Sequence, residues 1–268
     1  MPTHRWSGVL GIGRSWLPVL AGAAVFLFVW KVVVVVGGYP PFILPAPEVV
    51  FVRLIDAWTS GLIEPHVLTT LTEIALGFAL GATSGVVLGV LLARSNVAAR
   101  VLSPYVVAAQ ATPILALAPL IALWFGTGLT SKVVICGLIV FFPIAVSTMV
   151  GFRGVDPGLL EMAQSFGADR RQRVQAVEIP AALPSIFGGM RVGVTLAVIG
   201  AIVGEWAAGG ERGLGVLINL ARGSLFDTPL MFAALITTAG LGVALYVVIV
   251  LVERRLVGAR RRMQGESQ

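Results

Sequence analysis

Six long blocks of predominantly apolar residues constrain the fold of this chain more than any other feature. A helix that spans the hydrocarbon core of a bilayer needs about 20 such residues. The blocks lie near 17–36, 68–92, 103–125, 131–151, 186–206 and 230–252. Charged residues make up 12% of the chain, roughly half of their share in soluble domains. The pattern predicts a single transmembrane domain, residues 1–268, with an all-α polytopic fold and about six spans.

The positive charges are distributed unevenly between the loops that join these blocks. If the amino terminus lies inside, 14 of the 19 Lys and Arg residues, including Arg5 and Arg14, fall on the cytoplasmic side. Lys31 lies in the first block, where we expect it to snorkel toward Tyr39 and the headgroups. The outer loops hold only four: Arg53, Lys132, Arg212 and Arg222. This asymmetry predicts a multi-pass protein of the cell membrane, with both termini in the cytoplasm. No basic segment lies in a soluble region large enough to suggest nucleic acid as a partner.

The sequence lacks the residues that several classes of active site require. No segment has the pattern G-x-x-x-x-G-K-[ST], so we do not expect the chain to hydrolyse ATP itself. Neither His4 nor His66 has a partner at metal-ligand spacing, and the single Cys136 cannot form an intramolecular disulfide. Ion-coupled carriers normally have ionisable groups at mid-membrane, whereas the acidic residues here fall near the ends of predicted spans: Glu73, Glu205 and Glu253. We therefore expect no bound metal or cofactor, and we do not expect an enzyme.

Two of the predicted spans carry stripes of small residues at a spacing of four. Such stripes let two helix backbones approach closely in the membrane, and they predict tight contacts within the helix bundle. The stripes are Gly77, Gly81, Gly85 and Gly89 in the second span and Gly189, Gly193, Ala197 and Ala201 in the fifth.

Prolines interrupt the third block at Pro104, Pro113 and Pro119. Each proline removes a backbone donor and kinks or unwinds a helix. Within a membrane, a broken helix is tolerated only against protein or beside a water-filled path. Gln110 and Thr112, just before Pro113, are therefore candidates for lining such a path. An equally good interpretation is that Gln110 bonds to a neighbouring helix.

The loop 152–185 has the punctuation of short helices outside the membrane. Asp156 can cap a helix that has Pro157 at its first position, and Gly167 fits the left-handed position that ends it. Asp169 can cap a second, basic segment, predicted to run to Pro180. The first helix carries an apolar stripe that needs a partner, either the ends of the chain's own helices or a groove on another protein: Leu159, Met162, Ala163 and Phe166.

A family resemblance is carried by Glu161-x-Ala163-x-x-x-Gly167, followed after nine residues by Val177-Glu178-Ile179-Pro180. This pattern resembles the EAA loop of ABC-importer permeases. Other fragments resemble the permeases for sulfonates, taurine, nitrate and thiamin precursors, in the same order and spacing: Ile43–Pro47, Pro119–Gly128, Ser131-Lys132, Phe141–Pro143, Gly188–Arg191, Gly204-Glu205 and Gly213–Gly215.

The resemblance implies a type I ABC importer permease fold in which this loop forms coupling helices. The contact with a cytoplasmic ATPase subunit, which uses ATP and Mg²⁺, would then involve Asp156, Glu161, Ala163, Gly167, Asp169 and Pro180. Two permease copies would line one pathway by alternating access, and an extracytoplasmic binding protein would deliver the solute. Met162 and Ile179 depart from the family pattern, but both are apolar replacements.

The solute is less constrained than the class of protein. Glu205 and Trp206 could form a site in which the Trp stacks on a heterocycle and the acid accepts its donors. This pair favours a thiamin-precursor pyrimidine or riboflavin over the alternatives, which are an aliphatic sulfonate, taurine or nitrate. A competing interpretation makes Trp206 an interfacial belt residue.

Two other classes of protein remain compatible with the hydropathy alone. One is a secondary carrier or channel that works without ATP, and the other is a membrane scaffold that uses the loop only for docking. Dependence of uptake on a separate ATPase would distinguish the importer from both. Because the chain contains one complete set of six spans, we expect a homodimer of permease subunits.

Overall fold

The computed structural model describes residues 17–265, and within them the chain is helical without β-strands. Arg5, Arg14 and His4 lie outside these residues. The helices are α1 Leu17–Gly37, α2 Pro47–Thr59, α3 Glu64–Arg94, α4 Asn96–Ala111, α5 Ile114–Phe125, α6 Leu129–Arg153, α7 Pro157–Ser165, α8 Arg170–Arg173, α9 Ile179–Ala208, α10 Leu214–Gly223 and α11 Thr228–Gly265. A π-helical turn, Val174–Glu178, joins α8 to α9.

Five helical segments are each long and apolar enough to cross a membrane, namely α1, α3, α6, the continuous helix 170–208 and α11. The pair α4–α5 makes a sixth if it forms one broken span. The six apolar blocks of the sequence coincide with these helices. The all-α polytopic fold class is thereby confirmed.

The third block differs from the prediction of one span over 103–125. The structure has two helices there that meet at an angle of 95°. Pro113 causes the break, because it follows the last helical turn of α4 and has extended backbone angles (φ −69°, ψ 101°). Pro104 and Pro119, by contrast, lie inside helices. The helix also begins earlier than predicted, at Asn96, where the Ser95 side chain accepts a hydrogen bond from the Ala98 backbone N–H at 3.1 Å.

Helix α6 lies at the centre of the bundle between α3, which runs parallel to it, and the antiparallel α9. The glycine stripe of α3 packs on α6 so closely that a Cβ at Gly81 would lie 2.5 Å from the Gly137 carbonyl oxygen. On the other side, a Cβ at Gly189 would lie 2.6 Å from Ser147 Cβ. Both stripes therefore make the tight contacts that the sequence predicted. The remaining members of the stripes are buried as well.

The prediction that the basic segment ends at Pro180 is wrong. Residues 170–208 form one continuous helical segment with Pro180 and Pro184 inside it. The π turn lies immediately before Pro180, where local adjustments of this kind re-satisfy backbone groups that a proline would leave unpaired. The segment thus joins the loop that follows α6 directly to the far end of the bundle.

Ion pairs fasten the first two helices to the rest of the chain. Lys31 of α1 bonds to Glu48 of α2. From the sequence we expected Lys31 to extend toward Tyr39, and Glu48 lies further along the chain in the same direction. This hydrogen bond lowers the pKa of the Glu48 carboxyl. Arg53 Nε of α2 bonds to Asp227 Oδ2 at 2.9 Å, just before α11 begins. Helix α2 is therefore anchored on the start of α11.

Candidate functional site

Helix α7 is a short amphipathic helix with well-formed ends, and it immediately follows α6. The Asp156 side chain accepts a hydrogen bond from the Gly158 backbone N–H at 2.8 Å, which confirms it as the N-cap. At the other end Gly167 has φ +77°. The Gly167 N–H bonds to the Gln164 carbonyl at 2.9 Å and the Ala168 N–H to the Ala163 carbonyl at 3.0 Å. These two bonds form a Schellman motif, so Gly167 ends the helix as predicted.

The apolar stripe of α7 is exposed along its length. Phe166 is 85% exposed, Met162 54% and Leu159 44%, while Ala163 is half-buried. Of the two partners considered for this stripe, the ends of the chain's own helices do not cover it within the described residues. An exposed phenylalanine flanked by further apolar side chains is typical of a surface that another protein covers.

The basic segment after α7 is capped locally and bonds to α3. The Asp169 side chain accepts from the Gln172 N–H at 2.7 Å, and the Gln172 side chain accepts from the Asp169 N–H at 2.8 Å. This capping box satisfies two backbone donors at the start of α8. In the π turn, Glu178 accepts a bond from Arg94 Nη2 of α3 at 2.7 Å. The segment is therefore positioned by α3 as well as by its own helix.

At the opposite end of the bundle, Glu205 organises the loop between α9 and α10. Its side chain is 1% exposed. Oε1 accepts from the Thr70 hydroxyl at 2.5 Å, and Oε2 accepts from the backbone N–H groups of Gly215 and Val216. The Glu205 carboxyl fills the space in which a Cβ at Gly213 or Gly215 would lie, so neither position has room for a side chain.

Trp206 and His66 hold the same loop from either side. Trp206 Nε1 donates to the Gly215 carbonyl at 3.0 Å, although its side chain is about half exposed. His66 Nδ1 lies 2.8 Å from the Gly213 carbonyl oxygen. The predicted Glu205–Trp206 pair is thus brought together around the loop. In this conformation Glu205 faces the loop backbone and the Thr70 hydroxyl, a position that does not suit an acceptor for solute donors.

A buried ion pair that the sequence did not predict lies beside this loop. Lys132 Nζ donates to Glu73 Oε1 at 2.8 Å, and the two side chains are 6% and 1% exposed. Lys132 had been assigned to an outer loop, and Glu73 to a span end. Both residues lie near the beginnings of their helices, Glu64–Arg94 and Leu129–Arg153, and the packing of α3 on α6 brings their side chains together. A lysine and a glutamate within apolar helices are a signal for such pairing.

A polar cavity of about 660 Å³ opens at this end of the bundle. It lies between α3, the turn before α6 and the loop after α9. Its lining contains the ion pair, two further charged side chains and several hydroxyls: Glu73, Lys132, Glu211, Arg212, Thr69, Thr72 and Thr127. Glu73 Oε2 is buried and has no hydrogen-bond partner within the described part of the chain.

Gln110 and Thr112 lie at the break between α4 and α5, and both are exposed. The Thr112 hydroxyl donates to the Ala108 carbonyl at 3.1 Å. Between residues 17 and 265, Gln110 makes no side-chain hydrogen bond to a neighbouring helix of this chain. The structure therefore leaves its amide free for a pathway or for a second subunit, and a pathway role for both residues stays a prediction.

Comparison with known proteins identifies the class of this chain. Residues 85–258 match the family described as binding-protein-dependent transport system inner membrane component. The chain belongs to this family. It is a multi-pass permease subunit of an ABC importer, a transport component rather than an enzyme, and a separate ATPase subunit carries the ATP hydrolysis. The membership decides against the ATP-independent carrier and the scaffold.

Curated relatives of this permease bear the names of different solutes. The riboflavin transport system permease protein RibX of Chloroflexus aurantiacus is 48% identical over 231 residues, covering 86% of this chain and 85% of the relative. The formylaminopyrimidine transport permease protein ThiX of Halalkalibacterium halodurans is 35% identical, with 88% and 93% covered. The putative aliphatic sulfonates transport permease protein SsuC of Bacillus subtilis is 33% identical, with 94% and 90% covered.

Among solved structures, the permease resembles the inward-facing methionine ABC transporter MetNI. The TM-score is 0.60 at 24% identity, and the match covers 75% of this chain and 97% of the other. At this identity the likeness concerns the fold alone. It confirms the ABC importer permease architecture that the sequence resemblance implied.

Proposed function

We propose that the segment 156–180 docks this permease on its ATPase subunit. The observation that carries the proposal is the apolar stripe of α7, which the described chain leaves exposed although the helix is capped at both ends. A rigid helix with an uncovered apolar face fits a groove on a partner. Glu161 and Ala163 lie on this helix, and Gly167 ends it. Asp169 caps α8, and Pro180 lies in the first turn of α9.

The continuous helix after α7 provides a route from the docking segment to the far end of the bundle. Helix α9 has 30 residues and is therefore about 45 Å long. It begins beside the Arg94–Glu178 pair, and its last turn contains Glu205, which holds the α9–α10 loop. A displacement of α7 and α8 by the ATPase would thus be carried as a rigid-body movement to the opposite surface. Alternating access in this proposal depends on that movement.

In this proposal the permease lies in the inner membrane, with the docking segment and both termini on the cytoplasmic side and the α9–α10 loop on the outer side. A second copy of the permease completes the pathway, and the binding protein delivers solute at the outer end. ATP and Mg²⁺ are used in the ATPase, and this chain binds no cofactor. The excess of arginine on the side of α7 supports the orientation.

For the solute, we favour riboflavin or a thiamin-precursor pyrimidine. The relative that carries riboflavin in its name is 48% identical, whereas the relatives named for formylaminopyrimidine and for aliphatic sulfonates are 35% and 33% identical. Taurine, other sulfonates and nitrate are the alternative. A thermal-shift screen of the cognate binding protein against these solutes tests the choice, and stabilisation by sulfonates or nitrate alone would overturn it.

The docking proposal is tested by replacing Gly167 with valine and measuring whether the ATPase co-purifies with the permease. A β-branched residue is strained at φ +77°, so the end of α7 must rearrange. Gly61→Val is a matched control, because Gly61 has φ +72°, equally open surroundings and a place at the other end of the bundle. We expect both variants to insert into the membrane and only Gly167→Val to lose the ATPase. Normal co-purification with Gly167→Val would refute the docking role.

A further inference from the structure

The break between α4 and α5 lies near the middle of the membrane. Helix α5 has 12 residues and is therefore about 18 Å long, and it ends just before α6 begins. At its other end, Ile114 packs against the same apolar cluster as Ile139, which lies ten residues after the start of α6. Because the hydrocarbon core of a bilayer is about 30 Å thick, residues 111–113 lie deep within it.

Several backbone groups at this break have no hydrogen-bond partner. The Thr112 N–H and hydroxyl bond to the carbonyls of Ala109 and Ala108, at 3.2 and 3.1 Å. Within residues 17–265, no hydrogen bond reaches the carbonyls of residues 110–112 or leaves the N–H groups of Ile114 and Leu115. Such groups are costly in hydrocarbon, and irregular backbone does not face lipid. The break must therefore be covered by protein or by water.

The side chains around the break do not suit water. Every residue from 107 to 113 is exposed, and Val107 and Leu115 on either side are large apolar residues. Further along α5, Leu123 and Trp124 are exposed as well. Lipid suits these side chains but not the broken backbone, whereas water suits the backbone but not the side chains. A protein surface suits both.

The chemistry of this face makes it complementary to a second copy of itself. It offers acceptors in the carbonyls of residues 110–112 and donors in the N–H groups of Ile114 and Leu115, while the Gln110 amide supplies both kinds of group. Residues 101–131 contain no charged side chain, so two copies can approach without repulsion between like charges. A two-fold contact between identical subunits requires self-complementarity of this kind.

We infer that the α4–α5 face, defined as residues 107–115 with Leu123 and Trp124, packs against the same face of a second permease copy. The partner supplies the hydrogen bonds that the break at Pro113 leaves unmade. The inference rests on the proposed pairing of two permease copies and names the surface through which they pair. It also gives a role to Gln110, whose amide bonds to no neighbouring helix among residues 17–265 and serves the partner instead.

Cysteine cross-linking of the assembled importer in membranes tests the contact. Leu115→Cys is treated with a short bifunctional maleimide, and the products are identified by mass spectrometry. Val87→Cys is the matched control, because Val87 is 68% exposed against 64% for Leu115 but lies on α3. The native Cys136 is buried and does not react in the folded chain.

We expect a covalent permease dimer from position 115 and none from position 87. The absence of a dimer from position 115, equal yields from both positions, or an adduct of position 115 with a different membrane protein would overturn the inference.

A bulky substitution on the face tests whether the partner packs there closely. Ala111→Trp displaces nothing in its own chain, since Ala111 is exposed, but it obstructs the partner. In the Leu115→Cys background it should lower the cross-linked fraction about five-fold or more, the effect of overpacking an interface. Ala79→Trp is the control, at an exposed alanine of α3, and should leave the fraction unchanged. Equal fractions in the two variants would contradict a close contact at the break.

A membrane-impermeant maleimide tests whether water alone covers the break. Labelling of Leu115→Cys by this reagent without formation of a dimer would assign the face to a water-filled path and overturn the inference. The cross-link joins two permease chains, so it is readable in the Gly167→Val variant as well. Failure of the docking role is therefore distinguishable from failure of this contact.

Discussion

The carboxyl group of Glu205 is expected to stabilise the folded permease, and its removal should lower the free energy of unfolding. In the structure Oε2 accepts two backbone N–H groups, those of Gly215 and Val216, and Oε1 accepts the Thr70 hydroxyl. Glu205→Ala leaves the two buried N–H groups without an acceptor. Each such group costs about 1–3 kcal/mol, so the expected loss is about 2–6 kcal/mol.

Glu205→Gln should have a smaller effect, because one amide oxygen remains. If that oxygen takes the place of Oε2, the backbone bonds persist and only the bond from Thr70 is lost. The expected cost is then that of one charge-assisted hydrogen bond, about 1.5–3 kcal/mol. The order of stability is therefore wild type, Glu205→Gln, Glu205→Ala.

Cys136 gives a direct assay for this prediction. It is the single cysteine of the chain and is fully buried between α3, α6 and α9, so its thiol reacts with a fluorescent maleimide only after unfolding. Titration with sodium dodecyl sulfate, with a short pulse of the reagent at each concentration, yields the free energy of unfolding. Glu211→Gln is the control and should change it by less than about 0.5 kcal/mol, because Glu211 is exposed.

The same measurement separates the two roles considered for Glu205. If the carboxyl group served the solute instead of the loop, both variants would unfold like the wild type and only solute binding would weaken. Unchanged stability of Glu205→Ala would therefore refute the reasoning from the hydrogen bonds of the loop.

Two further predictions use the unfolding assay. Gly85→Ala should destabilise the permease by up to about 2 kcal/mol, because the new Cβ would lie 2.7 Å from the Phe141 carbonyl oxygen and this overpacking exceeds the gain in helix propensity. Gly240→Ala is the control, and because the space around Gly240 is open it should stabilise the permease by about 0.5–1 kcal/mol. Equal effects of the two variants would contradict the close packing of α3 on α6. Glu73→Gln should lower the free energy of unfolding by about 3–5 kcal/mol, because it leaves Lys132 buried without its ion partner. The double variant Glu73→Gln/Lys132→Met should recover most of this loss, and additive losses from the two substitutions would argue against the pair.

The sequence predicted best those features that follow from local chemistry. The apolar blocks, the stripe from Gly77 to Gly89, and the caps at Asp156, Gly167 and Asp169 all depend on neighbouring residues or on a fixed helical period. Each was therefore readable without knowledge of the tertiary structure, and the helices, caps and close packing are confirmed.

The polar end of the bundle could not be assembled from the sequence. Glu73, Lys132 and Glu205 lie far apart in the chain, and each is a single charged residue near the edge of an apolar block. Whether such a residue snorkels outward or pairs inside depends on the register of α3, α6 and α9. That register is set by packing between helices, which hydropathy does not encode.

The continuous helix 170–208 was missed for a related reason. Pro180 and Pro184 indicate a helix boundary locally, but the π turn before Pro180 and the Arg94–Glu178 pair allow the helix to continue. Tertiary contacts here override the local signal. The result matters for function, because an unbroken helix can transmit movement from the docking segment whereas a hinge at Pro180 would absorb it.

The most direct test of the central claim is photo-cross-linking from α7 to the ATPase. Benzoylphenylalanine is placed at Phe166, which is 85% exposed on the docking helix, and at Phe42, which is 68% exposed at the other end of the bundle. The assembled importer is irradiated in membranes, and adducts are identified by mass spectrometry. We expect a covalent adduct with the ATPase from position 166 and none from position 42. An ATPase adduct from position 42, or its absence from position 166, would contradict the claim that α7 docks the permease on its ATPase.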